Sequence, residues 1–216
     1  PGMHQSVLVL DYKSLYPSII RTFKVDPYAR IAAKKLESND IIDGFDGASF
    51  SKQDNILPDI IATLWQARDV AKRDKNAPLS QAIKIIMNSF YGVLGTPGCR
   101  VHDSRLTSSI TKRSHAIILQ TVKLIEAEGY DVIYGDTDSV FVSLQKTCDN
   151  QQATEIGNRL VVLVNRYWQQ ALEKEHDLPC YLEMEFETHF NQFFMPTVRG
   201  SDLGSKKRYA GLIEDE

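Results

Sequence analysis

Val7-Leu8-Val9-Leu10 is an unbroken run of apolar, β-favouring residues, and such a run predicts a strand buried on both faces. Asp11 follows where that strand meets solvent. Pro17 presets φ, so a helical run is expected to follow it, with the backbone N–H groups of residues 12–16 near whatever Asp11 binds. Asp131–Tyr134 and Val140–Val142 are two more β-favouring runs, joined by Gly135-Asp136-Thr137-Asp138-Ser139. They predict a hairpin with two carboxylates at its tip. Tyr181-Leu-Glu-Met-Glu-Phe-Glu187 alternates apolar and acidic residues, predicting a strand with Glu183 and Glu185 on one face.

Four stretches carry helical periodicity. Asn55–Lys75 and Pro78–Tyr91 read as a helical hairpin broken at Asn76-Ala77-Pro78, with Gly92 stopping the second helix. Arg68 and Lys72 align four apart on the first helix. On the second, Ile83, Ile86, Met87 and Phe90 share an apolar face, while Lys84, Asn88 and Tyr91 form a separate polar stripe. Leu106–Glu128 predicts a long amphipathic helix stopped by Gly129 and packed beneath the 131–142 hairpin; a further helix, about Gln151 to Glu175, covers the same sheet. Glu37 to Asn55 reads as a turn-rich linker. The sum is an α+β fold, an antiparallel sheet backed by helices with a helical hairpin inserted in sequence.

Each polar feature has two readings at this point. Asp11 is a strand-terminal turn residue or a ligand. Asp136 and Asp138 form a solvated turn, or their mutual repulsion is relieved by a bound cation. The Lys84 stripe is a solvent face or a phosphate contact, and Arg68 and Lys72 either clamp phosphates or pair with Asp69 or Asp74. Taken together they describe nucleotidyl transfer, because carboxylates far apart in sequence can hold two divalent metals while a cationic helix holds an incoming nucleotide.

Composition narrows the class. With 216 residues, 43% of them hydrophobic, the chain can bury a core in one or two domains. It shows no apolar run of membrane-spanning length and no secretory leader, so no membrane role is expected. Cys99, Cys148 and Cys180 lack a metal spacing and suit reduced thiols in a cytoplasm. His4, His102, His115, His176 and His189 give no metal pattern. The net charge of −3 is acidic for a nucleic-acid binder, which places weight on local clusters of cations rather than on the sum.

Asp11-Tyr-Lys-Ser-Leu-Tyr-Pro-Ser-Ile-Ile20, Lys84-Ile-Ile-Met-Asn-Ser-Phe-Tyr-Gly92, Tyr134-Gly-Asp-Thr-Asp-Ser139 and Lys206-Lys-Arg-Tyr209 resemble, in order and spacing, the polymerase motifs of family B DNA polymerases. Gly92-Val-Leu-Gly95, Glu187-Thr-His-Phe190 and Gly204-Ser-Lys-Lys-Arg-Tyr-Ala-Gly211 are most similar to bacterial members. The resemblance covers essentially the whole chain. It implies a palm over 1–50 and 96–216, with fingers inserted over 51–95. It implies two Mg²⁺, for which Mn²⁺ can substitute, bridged by Asp11 and Asp138, with the Tyr12 carbonyl completing one shell and Asp136 nearby. Arg68, Lys72 and Lys84 match the fingers cations on the β and γ phosphates, Lys84 also as a proton donor to the leaving group, and Asn88 matches the asparagine near the triphosphate. Ser14 and Leu15 belong with Tyr16 to the nucleotide-binding motif. By the same resemblance Tyr16 would lie beneath the sugar and exclude a 2′-hydroxyl, and Tyr91 would pack near the nascent base pair. Glu183 and Glu185 match acidic residues close to the metals, whereas Glu187 is left as a solvated strand residue. Lys206, Lys207, Arg208 and Tyr209 match the contact to the primer–template duplex.

The implied partners are primer–template DNA and deoxynucleoside triphosphates, with a sliding clamp engaged through regions outside this segment, in a bacterial, nucleoid-associated setting. No thumb, exonuclease or amino-terminal domain is apparent, so a palm-and-fingers piece of a longer enzyme is expected, weakly active or inactive alone. Two other readings stay open. Another two-metal nucleotidyl or cyclase enzyme leaves Tyr16 and the Lys84–Asn88 helix unexplained, and a non-enzymatic module leaves the retained carboxylates unexplained.

Overall fold

The structure, a computed structural model, describes residues 1–197, 204 and 207–213. In chain order these form β1 (Gly2–Tyr12), α1 (Leu15–Phe23), α2 (Pro27–Ala32), β2 (Ile41–Asp43), β3 (Ser49–Ser51), α3 (Leu57–Arg73), α4 (Ala77–Leu94), α5 (Ser104–Ala127), β4 (Asp131–Gly135), β5 (Ser139–Ser143), α6 (Asn150–His176), β6 (Met184–Met195) and β7 (Ala210–Leu212). They divide into two compact units. A sheet unit holds 1–13, 116–170 and 183–216; a helical unit holds 14–115 and 171–182.

The sheet unit is built on an antiparallel sheet of order β4-β5-β1-β6-β7. β1 is central, and Val7, Leu8, Val9 and Leu10 are all buried, as their continuous apolar run requires. Val7 and Val9 join Phe141, Phe193 and Met195 in one apolar cluster. By strand alternation Leu8, Leu10 and Tyr12 face the other way. There the Tyr12 hydroxyl meets Thr121 Oγ1 on α5 at 2.7 Å and accepts from Trp168 Nε1 on α6 at 2.9 Å. The α+β expectation, an antiparallel sheet backed by helices, is met. α6 packs on the sheet closely enough that a Cβ at Gly157 would lie 2.5 Å from the Phe186 ring.

The strand expected over 181–187 is displaced. β6 begins at Met184 and runs on to Met195, because its register with β1 extends from Tyr12↔Met184 to Gly2↔Met195. The segment His189 to Phe194, in which Asn191 and Gln192 fall between aromatic residues, carries that second half without strict alternation, which is why its pattern is not legible as a strand.

The helical unit is organised by Asp26, which is 2% exposed. One carboxylate oxygen accepts from Ala29 N–H at 2.7 Å, the other from Leu57 N–H at 2.9 Å, so a single side chain satisfies orphan donors at the starts of α2 and α3. Asn76 caps α4 through Leu79 N–H at 3.1 Å. α3 and α4 form the expected helical hairpin, but Gly92 does not stop α4. The helix continues to buried Leu94, and Gly95 N–H closes it on the Tyr91 carbonyl at 3.1 Å. A glycine within a helix costs only about 1 kcal/mol, which one more buried leucine offsets. The apolar face of α4 is also rotated from the expected one: Ile83 and Met87 are buried, whereas Ile86 is 48% exposed. The stretch read as linker contains the β2–β3 hairpin, with Ile42 and Phe50 buried and directly paired. Among the described residues no helix is long and apolar enough to cross a membrane.

Candidate active site

The carboxyl-terminal end of β1 is held on both sides in the sheet unit. Asp11 pairs with Ser139 on β5 and with Glu185 on β6. Tyr12 N–H then donates to the Asp138 carbonyl, and Lys13 N–H to the Glu183 carbonyl, each at 2.9 Å. These two bonds correct one expectation: the N–H groups of Tyr12 and Lys13 extend the sheet and do not face a ligand of Asp11. The same bonds bring the backbones of Asp11 and Asp138 onto neighbouring strand ends. The β4–β5 turn is tied by Asp136 N–H to the Ser139 carbonyl at 2.9 Å, and Asp136 Oδ1 accepts from Thr137 N–H at 2.8 Å. Asp11, Asp136 and Asp138 are all half-buried.

Two lysines at this end of the sheet are engaged by acids. The Lys13 ammonium lies 2.6 Å from Glu183 and 3.1 Å from Glu185. Burial pulls its pKa down, but the hydrogen bonds and charges of the two glutamates outweigh burial and leave it above its ordinary value. Lys13 was not singled out from sequence; its one signal was its place two residues after Asp11. Lys207 Nζ is 3.6 Å from Asp136, and Lys207 N–H donates to the Tyr134 hydroxyl at 3.0 Å. Arg208 is exposed. The Tyr209 ring packs on Phe141 and Phe193 with centroids 5.1 and 5.3 Å away, and partial burial, then the negative charge of Glu187 and Asp136, raises its phenol pKa. Lys206 lies outside the described residues.

In the helical unit Ser14 precedes α1 with φ of 46°, and its hydroxyl accepts from Arg68 Nη1 on α3 at 3.5 Å. The Arg68 Nε is buried without a hydrogen-bond partner. Leu15 is a core residue at 2% exposure. Tyr16 and Tyr91 pack with ring centroids 4.7 Å apart and planes at 56°, which joins the start of α1 to α4. Lys72, Lys84 and Asn88 are exposed. Among the described residues Arg68, Lys72 and Lys84 form no ion pair, so the alternative pairing with Asp69 or Asp74 is not adopted.

Among the described residues no three His, Cys, Asp or Glu side chains are grouped to hold a metal ion. A closed protein cage is therefore absent there. Magnesium seldom uses one: it takes one or two carboxylates and completes its shell with water and substrate phosphates. Asp11 and Asp138 offer hard oxygen donors from adjoining strand ends, and they fit that kind of ion.

A sequence model of DNA polymerase family B matches residues 1–216. The chain is 56% identical over 216 residues to DNA polymerase II of Escherichia coli strain K12, covering 100% of this chain and 28% of that protein. It is 27% identical over 228 residues to the DNA polymerase of Thermococcus gorgonarius, covering 100% of this chain and 27% of that one. Among solved structures, the family B DNA polymerase of the hyperthermophilic archaeon Pyrobaculum calidifontis matches with a TM-score of 0.66 at 26% identity, over 99% of this chain and 26% of its own. The chain thus spans little more than a quarter of the length of these relatives. With its model matched from end to end, the chain belongs to DNA polymerase family B.

Proposed function

We propose that this chain carries the nucleotidyl-transfer centre of a DNA-directed DNA polymerase, with 1–50 and 96–216 as palm and 51–95 as fingers. Its substrates are a primer 3′-hydroxyl on template DNA and deoxynucleoside triphosphates. The observation that carries this reading is the pairing of the Asp11 and Asp138 strand ends through Tyr12 N–H and the Asp138 carbonyl. It supports a pair of carboxylates acting as one site although 127 positions separate them in sequence.

Asp11 and Asp138 would hold two Mg²⁺ ions, with Mn²⁺ as substitute and the Tyr12 carbonyl as a further ligand, and the ions would lend Lewis-acid charge to the α-phosphate. Asp136 stands beside them, near the primer terminus. Arg68, Lys72 and Lys84 bind the β and γ phosphates and Asn88 lies against the triphosphate; Arg68 Nε has no protein acceptor, which supports a phosphate contact. Lys84 donates a proton to the departing pyrophosphate. Glu183 and Glu185 keep the acidic rim of the site, held in place by Lys13. Lys206, Lys207, Arg208 and Tyr209 touch the primer–template duplex.

Tyr16 excludes ribonucleotides by occupying the space of a 2′-hydroxyl, and discrimination of that kind needs a ring that does not yield. Its packing on Tyr91 supports this role, and favours a polymerase over a cyclase-type two-metal enzyme.

The test is Mn²⁺ binding followed by electron paramagnetic resonance, alongside primer extension. Wild-type protein should bind Mn²⁺ and prefer deoxynucleotides, and Asp11→Asn and Asp138→Asn should lose the binding whether or not the chain turns over alone. Unchanged Mn²⁺ binding in both variants would overturn the assignment.

A further inference from the structure

Three cations converge in the helical unit away from every residue assigned above. Arg30 on α2, Lys34 just after it, and Arg105 at the start of α5 line a cavity of about 140 Å³ completed by Ala33, Gly47, Ala48 and Ser49. The built-in counter-charge is Asp103. Arg105 Nε and Nη2 grip its two oxygens at 2.9 and 3.0 Å, and Arg30 Nη1 reaches it at 2.8 Å. The Arg105 hydrogen bond, with Arg30 and Arg105 charge behind it, holds the Asp103 carboxyl below the usual range despite burial. One carboxylate thus serves two guanidiniums. Asp46, next along the chain from Gly47, is taken by Lys112, and among the described residues Lys34 forms no ion pair. The lining side chains and Asp103 therefore sum to two positive charges.

We propose that this pocket binds a single phosphate group. With the Arg105 Nε–Nη2 edge on Asp103, the remaining N–H groups of the two guanidiniums and the Lys34 ammonium match the oxygens of a phosphate. The volume equals roughly four to five waters at about 30 Å³ each, room for one phosphorus with its oxygens and not for a base or sugar. The lining of Ala33, Gly47 and Ala48 lets the anion approach the backbone, and the Ser49 hydroxyl is available as a further donor. Arg30 Nε is buried with no protein acceptor, so it is a donor on a pocket-lining residue that an anion's oxygen would satisfy. The chemistry is shared by a free phosphate and by a phosphodiester of a nucleic-acid strand, and the proposal does not rest on the polymerase reading.

Inorganic phosphate titrated calorimetrically into the full chain at constant ionic strength reads the site directly. Wild type should give saturable one-site binding, and Lys34→Gln and Arg105→Gln should each weaken it about tenfold, the scale of one lost charged hydrogen bond. Lys34 is exposed, so its replacement keeps the test valid even if Arg105→Gln disturbs Asp103. A single-stranded oligodeoxynucleotide forms the second arm. If the natural occupant is a phosphodiester, the same substitutions weaken oligonucleotide binding and lower its salt slope by about one each. If it is free phosphate, oligonucleotide binding stays unchanged while phosphate binding falls. Absence of saturable phosphate binding in the wild type, or wild-type phosphate affinity in both variants, overturns the proposal.

Discussion

The acidic end of the sheet unit and the α3–α4 hairpin of the helical unit both present cations, and they use them in opposite ways. At the sheet, Lys13 is shared by Glu183 and Glu185, and Lys207 approaches Asp136. On the hairpin, Arg68, Lys72 and Lys84 form no ion pair among the described residues. Carboxylates crowded at neighbouring strand ends repel one another, so nearby lysines lower the cost of keeping them ionised. A surface that takes up phosphate needs positive charge in excess of its internal partners, because a fully neutralised cation must shed its partner before the ligand binds. Under the proposed function the two regions would take opposite ligands, cations at the sheet and anions on the hairpin.

Substitutions in each region test this contrast. The largest effect is expected for Asp138→Asn, which should lower nucleotide incorporation by roughly 10³-fold or more while leaving the urea unfolding midpoint nearly unchanged; steady-state primer extension beside a denaturation curve checks both. Arg68→Ala or Lys84→Ala should cost about 10- to 100-fold in kcat/KM for the incoming nucleotide, the range of a lost charged hydrogen bond. For Lys84, part of the loss should appear in kcat if it delivers a proton. A third effect, about 10- to 100-fold, is expected in the deoxy-to-ribo ratio of Tyr16→Ala, measured by competition between the two triphosphates, with a smaller change for Tyr91→Ala through loss of ring support.

The smallest is on stability. Lys13→Met should cost under about 1 kcal/mol, since Glu183 and Glu185 are half-exposed and solvent screens the pairs. The sign with pH follows from its raised pKa. The folded state holds the Lys13 proton more tightly than the unfolded chain, so the contribution is complete below the unfolded lysine value and is lost as pH rises through the raised one. Urea midpoints of wild type and Lys13→Met should therefore differ at neutral pH and converge at strongly alkaline pH. A gap that widened there would mean that the glutamates, and not the lysine, need the pair.

Local patterns carried much of the molecule. Val7–Leu10 read as a doubly buried strand, because four successive β-favouring apolar residues leave neither face for water. The helices α3, α5 and α6 begin and end within about two residues of where their periodicity and breakers place them. Less was legible where local propensity was weak or ambiguous. Gly92 looked like a stop but lies inside α4, since the next buried leucine outweighs its propensity. The β2–β3 strands are three residues each, too short for alternation to register among turn residues.

At the candidate site, residue order was enough to establish which groups are present: Asp11 after its strand, Asp136 and Asp138 in a turn, and cations spaced four apart along helices. Alternation and helical period act over a few positions, so a short window records them. Tertiary packing set their company. Only strand register could place Asp11 between Ser139 and Glu185, turn the N–H groups of Tyr12 and Lys13 into the sheet, and hand Lys13 to two glutamates some 170 positions away. Only helix packing could seat Tyr16 on Tyr91 and gather Arg30, Lys34 and Arg105 around one carboxylate and a small cavity. Such pairings depend on which elements pack together, and no short-range pattern records that.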